Sequence, residues 1–362
     1  MAEEILIEEA TAEDKMTGSR YHNLEVADVI TETHDSKSVV FSVPGDYQDD
    51  FDYLPGQFLT LKVPFDGQEL IRCYSLASSP DVDDVHKVTI KRVDGGRISN
   101  WINDEVKPGD RIEVMPPAGL FYLNEGTNDI VLFGGGSGIT PVISILKSAL
   151  TTTDRKVKLV YANRDEQSVI FRKELKKMEH KYIDRLSVIY VYDSIHGFVS
   201  RQMVKGATAG SDGAEFYICG PGPFMDTVES SLLEQGEDRS RIHVERFSSP
   251  VDPDQEAALE AEAAAAAESS TVTGFKVELD GENYQVAHES GDTVLQSMLK
   301  AGIAAPFSCE KGMCGACMCS VEGGETSLGI NQILEQEEVD EGWTLACQCH
   351  PVSGDLTVKF PD

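Results

Sequence analysis

The stretch PFSCEKGMCGAC, residues 306–317, decides how the rest of this chain is interpreted. Its three cysteines, Cys309, Cys314 and Cys317, have the spacing C-x4-C-x2-C, and Cys347 follows after 29 further residues. A [2Fe–2S] cluster is held by four thiolates, and this spacing supplies three from one loop and the fourth from a distant segment. Glycines in the loop would let backbone N–H groups approach the sulfurs. The sequence therefore predicts a [2Fe–2S] site with these four cysteines as ligands.

A structural zinc site is the alternative for the same cysteines, because zinc is also held by four thiolates. Zinc modules usually show two C-x2-C pairs, whereas here only Cys314 and Cys317 form one, which favours the cluster. Two further cysteines, Cys319 and Cys349, each lie two residues past a predicted ligand. On a strand this spacing places them on the ligand's face. Burial as small packing residues is the simpler expectation for both.

Composition and charge narrow the class of protein. The chain has 362 residues, enough for two or three domains, and 31 basic against 62 acidic residues give a net charge of −31. Such a surface repels phosphate backbones, so nucleic acid is not an expected partner. No apolar run is long enough for a membrane span, and the acidic start lacks the features of a signal peptide. We therefore expect a cytoplasmic protein that does not bind membranes.

The chain divides into five segments. Residues 1–21 are an acidic leader, and residues 22–125 contain six short β-type runs separated by Gly and Pro, which predict an antiparallel β-barrel. In residues 126–247 buried-type strands alternate with helical stretches, which predicts an α/β Rossmann-like domain. Residues 248–272 are an acidic, Ala-rich linker, and a final domain occupies residues 273–362.

The linker and the final domain have distinct local signals. The linker contains six acidic residues and no Lys or Arg, and its part from Glu256 to Glu268 could be a solvated helix that tethers a mobile module. The final domain opens with a hairpin signal at Asp280-Gly281 and a helical pattern from Asp292 to Ala301. Including the PFSC start of its cysteine loop, it resembles plant-type ferredoxins, and this resemblance implies an α+β, β-grasp-like fold.

A flavin site is predicted by Arg72-Cys73-Tyr74-Ser75. This segment resembles the R-x-Y-S motif of the ferredoxin–NADP reductase superfamily. Arg72 is a permanent cation that can bind a flavin diphosphate in a bidentate manner. Tyr74 offers a ring and a hydroxyl, and Ser75 can hydrogen-bond the edge of the isoalloxazine ring.

Neighbouring motifs support the flavin site. Pro55-Gly56-Gln57-Phe58 resembles the family's P-G-Q-[FY] strand start, and a G-x-x-S helix start follows at Gly96, where a helix N-terminus would receive the flavin pyrophosphate. FAD is favoured over FMN, because related FMN-binding reductases usually show R-x-Y-S-[LI]-x-N and this chain lacks that Asn. The further flavin-binding candidates are Lys91, Gly95, Gly96 and Ser99.

A nicotinamide-nucleotide site is predicted by FGGGSGITP, residues 133–141, which joins a strand to a helix. Glycines let the backbone approach a pyrophosphate, and the helix start supplies N–H donors. G-x-G-I-T-P in this position is specific to the superfamily's nucleotide domain. The candidate binding residues here are Gly134, Gly136, Ser137, Gly138 and Thr140.

Three later segments complete this site. CGPGPFM, residues 219–225, resembles the superfamily signature C-G-P-x-x-[FM], which implies that Cys219 positions the nicotinamide, with Gly220 and Pro221 beside it. The resemblance also places Glu245 and Phe247 near the flavin, so the catalytic candidates are Ser75, Cys219, Glu245 and Phe247. Asn163, Arg164 and Asp165 follow the second strand, where Asp165 favours NADH and Arg164 would favour NADPH; we expect NADH.

The domain order over residues 22–362 resembles class IB reductase components of multicomponent oxygenases. Within that group the chain is most similar to the reductases of 3-ketosteroid 9α-hydroxylases, and the reductases of phenylacetyl-CoA-type oxygenases and of hybrid-cluster proteins are alternatives. The resemblance implies that electrons pass from NADH through FAD and the cluster to a terminal oxygenase. Two other classes stay open, a flavin-dependent small-molecule reductase with a vestigial ferredoxin domain and a zinc-stapled interaction protein.

The charge of the final domain predicts how the oxygenase would dock. Residues 273–362 hold fifteen acidic and four basic residues, and Glu310 lies inside the cysteine loop. Charge steering raises an association rate without requiring a tight complex. The alternative is a solvated acidic face with no docking role. The acidic residues on the approach to Cys347 are Glu335, Glu337, Glu338, Asp340 and Glu341.

Overall fold

The computed structural model of the protein describes residues 20–247, 253–268 and 270–361. Most of the predicted acidic leader and residues 248–252 of the predicted linker lie outside these ranges. The described chain forms an antiparallel sheet, a parallel α/β sheet and a smaller mixed sheet, in that order, which confirms the predicted fold class. Within these ranges no helix has both the length and the apolar character that a bilayer crossing requires.

The first unit is a six-stranded antiparallel barrel with the strand order β4-β3-β6-β1-β2-β5. A bridge between Leu76 and Val88 brings the end of β4 to β5, which closes the sheet. Apolar side chains such as Leu59 and Leu61 fill the interior, because alternate residues of each strand face inward. The elements are β1 (His22–Thr33), β2 (Ser36–Ser42), β3 (Phe58–Phe65), β4 (Gln68–Ser75), β5 (His86–Lys91), α1 (Arg97–Asp104) and β6 (Arg111–Ala118).

The second unit is a five-stranded parallel sheet with the order β11-β10-β7-β8-β9. Its central strands are apolar on both sides, because helices cover both faces of the sheet and each face has its own buried cluster. The strands are β7 (Ile130–Gly135), β8 (Val157–Asn163), β9 (Leu186–Tyr192), β10 (Glu215–Gly220) and β11 (Ile242–Arg246). The helices are α2 (Ile139–Thr152), α3 (Arg172–Lys181), α4 (Asp193–His196), α5 (Arg201–Thr208) and α6 (Gly222–Glu234).

A single helix, α7 (Pro253–Glu268), precedes the third unit. This helix contains the predicted segment from Glu256 to Glu268, but it is only partly solvated, because the side chains of Ala263 and Ala267 are 4 % and 1 % exposed. The hydroxyl of Ser290, in the third unit, donates to the Ala267 carbonyl at 2.8 Å. Small alanine side chains allow this close approach, so the helix is part of the last domain's packing.

The third unit has a mixed five-stranded sheet, β13-β12-β18-β14-β16, and a separate pair, β15-β17. The predicted hairpin turn at Asp280-Gly281 is confirmed: both residues have positive φ, as a type I′ turn requires. A capping box between Thr293 and Gln296 begins helix α8. The strands are β12 (Gly274–Leu279), β13 (Glu282–Ala287), β14 (Met318–Glu322), β15 (Glu325–Leu328), β16 (Trp343–Leu345), β17 (Cys349–Ser353) and β18 (Thr357–Lys359). The helices are α8 (Val294–Lys300) and α9 (Gln336–Asp340).

Buried polar contacts join the barrel to the parallel domain. Helix α2 lies on the loop after β4, where the Ser144 hydroxyl donates to the Ser78 carbonyl at 2.6 Å and the hydroxyls of Ser79 and Ser148 are 2.7 Å apart. Lys147, whose side chain is 3 % exposed, lies 3.0 Å from Asp83 and 2.5 Å from Glu174. These contacts fix the angle between the two domains.

We predict that Lys147→Ala weakens this interface. The substitution leaves partly buried carboxylates without their cation and should cost about 1–3 kcal/mol of stability. Urea unfolding of the holoprotein should show a lower midpoint. The control is Lys177→Ala, which removes an exposed lysine from α3 and should change stability by no more than about 0.5 kcal/mol. Equal midpoints for the two variants would contradict the prediction.

Candidate functional site

The four predicted cluster cysteines converge in two pairs. Cys309 and Cys314 are hydrogen-bond partners within the loop, and Cys317 is the partner of Cys347, which lies between β16 and β17. The Cys317 thiol donates to Cys347, so this bond raises the pKa of Cys317 and lowers that of Cys347. The loop winds tightly at Gly312, where a Cβ atom would lie 2.0 Å from a backbone carbonyl oxygen.

This arrangement fits a two-iron cluster. Such a cluster needs two thiolates on each iron, and the structure supplies two pairs. The backbone N–H groups of Lys311 and Met313 both donate to the Cys309 sulfur at 3.4 Å. Cys319 and Cys349 are fully buried in the domain core, as expected for packing residues.

The predicted flavin residues lie at the end of β4 and at the start of α1. The Ser75 hydroxyl is buried and has no hydrogen-bond partner among the described residues, so it is available to a bound ring. Arg72 donates to the Ile71 carbonyl at 2.6 Å, and burial raises the pKa of Tyr74. Strand β4 thus carries both a cation, Arg72, and an unpaired hydroxyl, that of Ser75.

The start of α1 carries the other predicted flavin residues. Gly95 has a φ of 68°, and Gly96 is the N-cap of the helix. The Ser99 oxygen accepts from the Val93 N–H at 3.2 Å, and a Cβ on Gly96 would lie 2.4 Å from that oxygen. The Ser99 proton stays available to a phosphate oxygen beside the helix N-terminus. Lys91 lies in the same region, 3.8 Å from Asp35.

The predicted nicotinamide residues meet at the carboxyl edge of the parallel sheet. Gly134, Cys219 and Glu245 are aligned across β7, β10 and β11. Gly138 touches this row, since a Cβ there would lie 2.2 Å from the Cys219 carbonyl oxygen. Burial raises the pKa of Glu245 to about 8 and that of Cys219 well above its usual value. Both shifts favour the neutral form of these side chains.

The remaining nucleotide residues surround this row. Thr140 donates to the Ser137 carbonyl at 3.0 Å, and the Gly136 carbonyl accepts from a tyrosine hydroxyl at 3.1 Å. Gly220 and Pro221 lie against Gly135, where a Cβ would be 2.8 Å from the proline ring. The glycine-containing turns after β7 and β10 are therefore in close contact.

The ribose candidates lie apart from that row, at the end of β8. Asn163 is buried, and Asp165 accepts from the Ser168 N–H at 2.9 Å. The Arg164 guanidinium is 3.4 Å from Asp35 of the barrel and 3.5 Å from Asp165. The Arg164 guanidinium is thus flanked by two carboxylates, those of Asp35 and Asp165.

One cavity brings residues of all three units together. It places the predicted residues Ser75, Glu245, Phe247 and Cys314 on common walls, whereas Lys91, Ser99 and the ribose candidates lie outside it. Phe247 is 43 % exposed, directly after β11. The full lining is Phe58, Arg72, Cys73, Ser75, Glu245, Arg246, Phe247, Met313 and Cys314.

Three contacts around this cavity were not predicted from the sequence. The hydroxyls of Thr60 and Ser308 are 2.6 Å apart, and Arg246 lies 3.0 Å from Glu335. The thiol of Cys73 is a hydrogen-bond partner of Cys314. All three contacts connect separate domains, and the first joins residues that are 248 positions apart in the sequence. No local sequence pattern therefore predicts them.

Comparison with known protein families assigns the three units. Residues 23–122 match the oxidoreductase FAD-binding domain, residues 132–230 the oxidoreductase NAD-binding domain, and residues 277–352 the 2Fe-2S iron-sulfur cluster binding domain. Phthalate dioxygenase reductase has the same fold, with a TM-score of 0.58 at 22 % identity over 97 % of this chain and 100 % of that one.

Curated relatives extend over nearly the whole chain. The ferredoxin reductase component of 3-ketosteroid-9-alpha-monooxygenase from Rhodococcus rhodochrous is 45 % identical, over 95 % of this chain and 98 % of the relative. A component of 1,2-phenylacetyl-CoA epoxidase from Escherichia coli is 32 % identical, over 94 % and 98 % respectively. The predicted resemblance and cofactors are confirmed, and the chain belongs to the family of ferredoxin reductase components of multicomponent monooxygenases, with FAD, NAD and [2Fe–2S] domains.

Proposed function

We propose that the protein carries electrons from NADH, through FAD on the barrel and a [2Fe–2S] cluster, to a terminal oxygenase that acts on a 3-ketosteroid. The observation that carries this proposal is the shared cavity. Residues of the flavin strand, of the nucleotide domain and of the cluster loop form its walls. Electrons entering from the nucleotide side therefore have a short path to the cysteine loop.

The proposed roles follow from the chemistry of each side chain. Bound FAD accepts two electrons as a hydride and releases them singly, which a one-electron cluster requires. Arg72 and Ser99 bind the diphosphate by charge and by hydrogen bonding at the α1 N-terminus, and Tyr74, Lys91, Gly95 and Gly96 complete that groove. The unpaired Ser75 hydroxyl orients the ring. Phe247 covers the ring position until nicotinamide enters.

The nucleotide site favours NADH over NADPH. A 2′-phosphate needs a cation that can pair with it. Arg164 is the candidate, but Asp35 and Asp165 lie 3.4 and 3.5 Å from its guanidinium. These carboxylates would repel a phosphate and leave the Asp165 side available to a ribose hydroxyl.

The substrate class rests on similarity. The 45 % identity to the Rhodococcus rhodochrous steroid monooxygenase reductase exceeds the 32 % identity to the phenylacetyl-CoA epoxidase component. The test is reconstitution with each relative's oxygenase component. We expect NADH-dependent hydroxylation of a 3-ketosteroid by the first mixture. Turnover only with the epoxidase components would contradict the steroid proposal and leave the reductase function intact.

One prediction of this function concerns the proposed ligands Cys309, Cys314, Cys317 and Cys347. Cys347→Ala removes one thiolate from its pair and should abolish the cluster's visible and electron paramagnetic resonance (EPR) signals. NADH-driven ferricyanide reduction should survive, because ferricyanide takes electrons from the flavin, whereas cytochrome c reduction should be lost. Cys349→Ala, two residues further along, is the matched control and should keep the cluster. An unchanged cluster spectrum in Cys347→Ala would exclude Cys347 as a ligand.

A second prediction concerns pH. Because desolvation raises the Glu245 pKa to about 8, its carboxyl is neutral below that pH and negative above it. A negative charge beside the flavin site opposes the arrival of electrons, so NADH-driven ferricyanide reduction should fall as the pH rises through about 8. Glu245→Gln keeps the neutral shape and should give a flat profile between about pH 6 and 9. The same fall in both proteins would assign it to another group.

We also propose that the oxygenase docks electrostatically on the acidic face beside α9. Three of its five carboxylates have partners within the chain: Glu335 pairs with Arg246 at 3.0 Å, and Glu338 accepts from the Glu335 N–H at 2.8 Å. Asp340 accepts from Gln336 at 2.8 Å. Glu337 and Glu341 are exposed, which makes them the best candidates for steering a basic partner.

The docking proposal predicts a specific salt dependence. Reduction of the Rhodococcus rhodochrous steroid oxygenase component should slow steeply as salt approaches about 0.5 M, where the Debye length is only a few Å. Glu337→Gln with Glu341→Gln should lower the low-salt rate and flatten this dependence. The matched control is Asp46→Asn with Asp49→Asn, two exposed charges of the barrel. If both double variants behave alike, the face beside α9 is not the docking site.

A further inference from the structure

The flavin strands touch the cluster loop through a short row of polar side chains. Thr60 on β3 and Cys73 on β4 are directly opposite each other, with the Thr60 oxygen 3.3 Å from the Cys73 sulfur. The Thr60 oxygen is also 2.6 Å from the hydroxyl of Ser308, the residue before Cys309. At the other end of the row, Cys73 hydrogen-bonds Cys314 and lines the same cavity.

Bond chemistry fixes the direction of this row once Cys314 is a ligand. A metal-bound thiolate has no proton and can only accept, so the Cys73 S–H must donate to the Cys314 sulfur. The Cys73 sulfur then accepts from the Thr60 hydroxyl. Thr60 has given up its only proton, so the Ser308 proton goes to Thr60 at 2.6 Å and not to its alternative acceptor, the Met115 sulfur at 4.0 Å. Ser308, Thr60 and Cys73 therefore each donate to the next member of the row, and the row ends at the Cys314 sulfur.

We propose that Cys73 is a positioning residue whose thiol donates a hydrogen bond to the Cys314 sulfur, holding the cluster loop against the flavin strand and raising the cluster's reduction potential. This inference rests on the proposed function, because it takes Cys314 as a ligand. Hydrogen bonds to cluster sulfurs stabilise the more negative, reduced form. Thr60 and Ser308 are 0 % and 2 % exposed, so water does not compete for their protons.

The row also has a mechanical effect. Thr60 belongs to the barrel and Ser308 to the ferredoxin domain, and their hydroxyls meet in a buried contact. Separating the domains would leave both without a partner in a dry interface, which is unfavourable. The same side chains that influence the potential therefore keep the loop at a fixed distance from the flavin groove.

The test is a dye-mediated redox titration of the holoprotein, with the reduced cluster followed by EPR. Cys73→Ala should lower the ratio of reduced to oxidised cluster at a fixed potential by about two- to tenfold. Cys73→Ser retains a donor and should restore part of the loss. Thr60→Val breaks the row one step earlier and should shift the ratio in the same direction by less.

The matched control is Thr89→Val. Thr89 is another buried barrel threonine, whose hydroxyl is 2.7 Å from that of Ser38, and its loss should leave the cluster's potential unchanged. If Cys73→Ala does not hold a cluster, Cys73→Ser and Thr60→Val decide the question. The proposal is wrong if these variants titrate at the same potential as Thr89→Val. Absence of an EPR signal from the unaltered protein would instead contradict the proposed function.

Discussion

The contact between the cluster loop and the flavin strands is the constraint on which the rest of the structure depends. An electron path needs its two ends to be close, yet the loop and the strands belong to domains separated by a complete α/β domain in the sequence. The Thr60–Ser308 contact brings them together at 2.6 Å. The buried Lys147 interface and the Arg246–Glu335 ion pair hold the intervening domain in the position that this contact requires. Residues of all three domains line the cavity beside Cys314.

Local chemistry made much of the site predictable, whereas contacts between domains were not. The spacing of Cys309, Cys314 and Cys317 sets a loop that needs little tertiary information, and the glycine-rich turn after β7 has its own steric logic. Thr60 and Ser308 have no such signal, because a single hydroxyl on a strand or in a loop has many ordinary explanations. The packing of the Ala-rich helix α7 has no sequence signal for a related reason. An alanine-rich helix can be solvated or closely packed, and it is the Ala267–Ser290 contact that shows α7 packing against the last domain.

Burial favours uncharged side chains at the carboxyl edge of the parallel sheet. The chain has a net charge of −31, but burial raises the pKa of both Cys219 and Glu245 at this edge, which favours their neutral forms. A fixed negative charge there would oppose the arrival of electrons. In the proposed transfer no protein group has to exchange a proton, so the role proposed for the residues of this edge is to position the two rings and exclude water.

The acidic surface has to be interpreted residue by residue. Of the carboxylates near α9, Glu335 already neutralises Arg246 and Glu338 closes a capping box, so neither is fully available to a partner. Exposed carboxylates such as Glu337 and Glu341 act at long range and are screened by salt, which suits an encounter that must form and dissociate for each electron. The Arg246–Glu335 contact differs in kind, because Arg246 is only 24 % exposed and is also paired with Asp226 and Glu229. Within one short segment, ion pairing and capping thus distinguish Glu335 and Glu338 from Glu337 and Glu341, the carboxylates to which the docking proposal assigns the steering role.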